Sequence, residues 1–131
     1  MTIINGFSKF SITTDIRNLL LQNEELASLV GTNIFPVIAP EETNGDFIIY
    51  YRDQYSKEYA GDIITLEACK IFFAIVSEDY DRSIQITELV NKIIEGTHYN
   101  TDNYMYKCLL KDSTEDYQDK KYIQILLFEV I

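Results

Sequence analysis

The stretch Ile63–Ser77, IITLEACKIFFAIVS, constrains the fold more than any other part of the chain. It is rich in Ile, Phe and Val and free of Gly and Pro, so it predicts a long strand. Alternate residues Cys69, Ile71, Phe73 and Ile75 make one apolar face. The other face, with Leu66, Ala68, Lys70, Phe72, Ala74 and Val76, is mixed. A strand apolar on one side and nearly apolar on the other belongs in the middle of a sheet, with both faces at least partly covered. At Ser77-Glu78-Asp79 the period changes from two to about 3.6, and Ser77 or Asp79 can cap the helix that follows.

The remaining elements are placed by the same periodicities. Ile12, Ile16, Leu19 and Leu20 predict a helix over Ile12–Gln22. Asn23-Glu24-Glu25 reads as a fresh N-cap and Gly31 as the residue after a short helical segment. Asn33–Pro40 is extended, since each Pro disfavours αR in the residue before it. Glu41–Asp46 is a loop, Phe47–Arg52 a strand, and the polar segment Asp53–Asp62 a long connection to the central strand with a protruding tip. Tyr80–Glu95 is a helix with Ile86, Leu89, Val90, Ile93 and Ile94 on its apolar stripe, ended by Gly96. Asn100–Lys111, with Tyr104 and Tyr106 on one side, and Tyr122–Val130 are strands, joined by a charged turn region Asp112–Lys121.

The expected fold is α+β: a mainly antiparallel four-stranded sheet with two helices packed on one face, in the order α-β-β-α-β-β. Its expected core is Ile71, Phe73 and Ile75 against Leu19, Val90 and Ile93. Residues 1–131 suit one domain, with Met1–Lys9 as an N-terminal arm ordered by a partner. No apolar run reaches the length of a membrane span and no secretory signal stands at the start, so a soluble protein is expected.

The net charge of −10 argues against nucleic-acid binding, which needs a basic footprint, and against docking on an anionic membrane. It fits a soluble surface, a basic partner, or a surface that must repel DNA. Cys69 and Cys108 both fall in strand patterns, where buried reduced thiols are favoured over a disulfide framework or a metal site; a bridge would need neighbouring strands.

Catalytic chemistry has little to stand on. His98 is the sole histidine and lies just past a helix end, with only Thr97, Thr101 and Asp102 near it in sequence. The acids Glu41-Glu42, Glu78-Asp79-Asp81 and Asp112–Asp119 lack calcium-loop spacing. The five glycines are not clustered, so no phosphate cradle forms. Neither an enzyme nor a bound cofactor is expected.

The tyrosines are the informative excess, ten of them. Most fill strand positions. Tyr55 and Tyr59 fall in the expected hairpin tip, where there is no core to fill, with Lys57 and Glu58 between them. With Phe72 on the second face of the central strand, these are candidates for contact with another chain.

The order of short motifs carries a resemblance. Leu29-Val30-Gly31, Ile34-Phe35-Pro36, Ala39-Pro40, Phe47–Tyr51, the Ile71–Ser77 strand running into Tyr80, and Glu115-Asp116-Tyr117 resemble the tail-completion, tail-terminator-type proteins of tailed bacteriophages and prophages. They cover the chain from about the first helix to the last strand. Asp46 departs from the family, which often has Pro there. The resemblance implies a non-enzymatic virion subunit, usually a hexameric ring at the head–tail junction. Such a ring ends the tail tube, contacts connector or tail-tube proteins, and lets DNA pass without binding it specifically. It would be assembled in the bacterial host cytoplasm. The alternative is an acidic binding module of the immunity or anti-defence type that blocks a basic partner.

Overall fold

The computed structural model of the protein describes residues 3–5, 10–100 and 105–131. The four long strands are β3 (Phe47–Ala60), β4 (Ile63–Ser77), β6 (Met105–Gln118) and β7 (Lys121–Val130). Three short ones join them: β1 (Ile3–Asn5), β2 (Ile34–Pro36) and β5 (His98–Asn100). The helices are α1 (Ile12–Leu21), α2 (Glu24–Val30) and α3 (Tyr80–Ile94).

The four-stranded antiparallel sheet with two helices is therefore corrected. The order β6-β7-β4-β3-β2 makes a five-stranded mixed sheet, in which β2 runs parallel to β3. Beyond β6, β5 and β1 extend it to seven strands, with β1 parallel to β5. Three helices, not two, stand in the chain. The cause lies in the short strands. A strand of three residues has no period to detect and is set by pairing with its neighbour rather than by its own propensity. The parallel β2–β3 pair also requires the chain to travel back before re-entering the sheet, and residues 37–46 do this.

The other correction concerns length. Asp53–Asp62 and Asp112–Lys121 are mostly strand, not connection, so β3–β4 and β6–β7 are long hairpins. Their turns are tight. Gly61 has φ 65°, while Asp119 and Lys120 have φ 52° and 64°, the double positive φ of a type I′ turn. Polar residues fill these arms because both faces meet solvent there, so alternation disappears. Of Met1–Lys9, only β1 and its pairing are described; the rest of the arm, and Thr101, Asp102 and Tyr104, lie outside the described residues.

Capping follows the side chains available. Asn23 Oδ1 accepts from the Leu26 amide at 2.9 Å, and Asp79 Oδ1 from Arg82 at 3.2 Å. Ser77 Oγ accepts from the Asp79 amide at 3.1 Å. All three helices contribute to one core, on one face of the sheet. Ile71, Phe73 and Ile75 of β4, Ile48 of β3 and Phe128 of β7 meet Ile12, Ile16, Leu20, Ile86 and Val90 there. Phe73 sits edge-on to Phe128, ring centroids 5.7 Å apart. Of the expected core, Ile71, Phe73, Ile75 and Val90 are buried, Ile93 packs half-buried against the cluster, and Leu19 is half-buried while its neighbour Leu20 is fully inside.

Cys69 and Cys108 both pair with Val130, one from β4 and one from β6. Two strand spacings of about 4.8 Å then separate them, beyond the reach of a disulfide. Burial, with smaller contributions from Cys69 and Glu95, pushes the Cys108 thiol up to about 12. Both thiols will therefore react slowly with a disulfide reagent in the native state and rapidly in denaturant. Native protein reacting as fast as denatured protein would contradict this burial.

Candidate interaction surface

No helix packs on the second face of the sheet, where most residues are half-buried. Strand register places its residues in three rows: Phe47–Val76–Ile123, Ile49–Ala74–Ile125 and Tyr51–Phe72–Leu127. All nine are apolar or aromatic, and none belongs to the core cluster. Phe72 stacks on Tyr51 with centroids 5.3 Å apart. The next strand, β6, continues the rows with Asp116, Thr114 and Asp112, so one margin is acidic. Lys121 Nζ lies 5.4 Å from the Phe47 ring centroid at one end. A solvated sheet face alternates to polar residues; this one turns polar only at its margins, in β6 and in the Gln54–Lys70–Glu129 row. An apolar patch with a polar margin is the composition of an interface.

The hairpin candidates divide. Tyr55 is half-buried, lies tilted against Phe10 with ring centroids 4.8 Å apart, and donates its hydroxyl to Glu67. Tyr106 donates to the other Glu67 oxygen at 2.9 Å. Burial first, then the bond to Glu67, raises the Tyr55 hydroxyl well above the ordinary phenol range. Tyr55 is thus tied into its own subunit, and the expectation that it has nothing of its own to pack on is corrected. Lys57 lies over the Tyr55 ring, Nζ 5.7 Å from the centroid. Tyr59 and Glu58 are exposed, so Tyr59 alone of the pair presents a free ring.

At the opposite end, motifs far apart in sequence converge. Tyr80 donates to Glu115 Oε2 at 2.9 Å, and Gln124 Nε2 reaches the same oxygen at 2.9 Å. The Tyr80 and Tyr117 rings each lie against Tyr122, centroids 5.4 and 4.9 Å away. The Glu115 bond, first of all, raises the Tyr80 hydroxyl.

His98 stands in β5, not in a loop, opposite Lys107. Among the described residues no group of three or more His, Cys, Asp or Glu is placed to hold a metal ion. Nor is any described helix long and apolar enough to cross a membrane. Sequence reasoning missed Val37 and Ile38, which the β2–β3 segment holds 71% and 76% exposed. The prolines on either side pointed to extended chain, but nothing there signalled exposure.

No family model matches the sequence, and no curated protein matches it. Among solved structures, a chain from the virion of a native gene transfer agent particle has the same fold. The TM-score is 0.75 at 11% identity, over 88% of this chain and 89% of that one.

Proposed function

We propose that the chain is a structural subunit of a phage-type virion. It forms a homo-oligomeric ring, expected to be hexameric, at the head–tail junction. There it ends the tail tube and joins it to the head, with DNA passing through. The observation that carries this is the second sheet face. Nine apolar residues in register, outside the core cluster and without a helix over them, seven half-buried, Tyr51 exposed and Val76 buried, form a surface suited to contact with another subunit. A fold shared with a virion chain supports the same setting. The charge of −10 suits a lumen along which DNA slides, since like charge prevents sticking. Connector and tail-tube proteins are the expected neighbours.

Light scattering of the purified chain over a range of concentrations, with and without tail tubes, and electron microscopy of the same samples test this. Closed rings of one mass, free or on tube ends, are expected. A chain that stays monomeric in both settings and instead binds a basic protein stoichiometrically would favour the acidic inhibitor.

A further inference from the structure

Tyr80, Glu115, Tyr117 and Tyr122 have no part in the outer face. Register sets their side. Tyr117 pairs with Tyr122 and Glu115 with Gln124, and Gln124 shares its parity with the core residues Leu126 and Phe128. They therefore lie on the helix-bearing face, at the end where β4 passes into α3. There the three rings, with Glu115 and Asp116, line an open pocket of about 300 Å³. Tyr80 is 42% exposed and Tyr117 56%, so these rings are not there to fill a core. Gln124 is buried, and its Nε2 also lies 3.3 Å from Ser83 Oγ, which fixes it against α3. Gln124 and Tyr80 hold Glu115 through Oε2, while Oε1 keeps a single long contact, 3.3 Å from the Tyr80 hydroxyl. Both donors are neutral, and among the described residues Glu115 is in no ion pair.

We propose that this pocket receives an arginine side chain of a basic partner protein. The faces of the tyrosine rings attract a cation. A guanidinium is planar, so it stacks on one ring while its N–H fork donates to a carboxylate, which an ammonium cannot do. Glu115 is already oriented for that contact, so little order has to be created on binding. The arginine comes from another protein and not from a second copy, because all three arginines of this chain are engaged within it. Arg17 Nε donates to the Ile34 carbonyl at 2.9 Å, the Arg52 guanidinium lies 4.8 Å from the Phe10 ring centroid, and Arg82 pairs with Asp46 at 2.8 Å. The charge of −10 attracts a basic surface at long range. Exposed Glu78 and Asp81, beside Tyr80 in sequence, and Asp119 in the β6–β7 turn add to the acidic character of this end. Lys121, next to Tyr122 in sequence, lies against the Phe47 ring instead. The pocket is separate from the outer face and does not depend on ring formation.

Titration of the whole chain with the peptide acetyl-Gly-Arg-Gly-amide, followed by NMR on ring-labelled tyrosines, tests this. Saturable shifts at Tyr80, Tyr117 and Tyr122 are expected, and they should weaken as salt is raised. The citrulline peptide, alike in shape but uncharged, should leave these rings unmoved. Glu115→Gln keeps an oxygen for Tyr80 and Gln124 but loses the charge, and should weaken the arginine peptide about fivefold or more; Tyr117→Ala should do the same. Both side chains are exposed, so both variants should fold, which thermal melts check. Citrulline binding as tightly as arginine, or an arginine response that both variants leave unchanged, would overturn the pocket. So would the absence of any saturable shift. A chain that binds the arginine peptide here and never assembles would keep this inference and remove the ring.

Discussion

Replacing Phe73 by alanine will cost the isolated subunit about 3–5 kcal/mol of stability. Phe73 is 1% exposed at the centre of β4 and packs on Phe128 and Tyr50. Truncation removes the whole ring from the core and leaves a cavity under the helices, which the close-packed interior fills only partly. The edge-to-face pair with Phe128 is lost as well, for about 0.5–1.5 kcal/mol within that total. Denaturant melts of wild type and variant measure it. A cost under roughly 1 kcal/mol would mean that the helix-covered face is not the one that stabilises the fold.

That face was legible because Ile71–Ile75 alternates over a long Gly- and Pro-free run, and because α3 carries an apolar stripe ended by Gly96. What was not legible came from two sources. The arms Asp53–Ala60 and Asp112–Gln118 are strands without alternation, since neither of their faces is buried by the helices. The three-residue strands β1, β2 and β5 exist through their partners, so no local signal marks them. The candidate surface shows the same division. Phe72 was readable from the parity of β4, whereas the rows that join it to Tyr51 and Leu127 require the strand order. Tyr55 failed as a free tip residue because Glu67 and Phe10, its partners, are distant in sequence.

The outer face leads to the second large effect. Phe72→Asp will abolish assembly while leaving a folded subunit. Phe72 lies on the face without helices, so a carboxylate there remains hydrated in the monomer. Its cost is then the poor strand propensity of Asp and the lost stacking on Tyr51, on the order of 1 kcal/mol. In an assembled interface the same carboxylate is stripped of water among Ile125, Leu127 and Tyr51, and the nearest cation on its face, Lys70, already stands opposite Glu129. Burying an unpaired charge costs far more than a contact between apolar faces returns. Phe72→Leu keeps the apolar surface and should assemble, which separates charge from shape. Far-UV circular dichroism and thermal melts follow the fold, and light scattering follows assembly. If Phe72→Asp forms the same particles as wild type, the outer face is not buried between subunits.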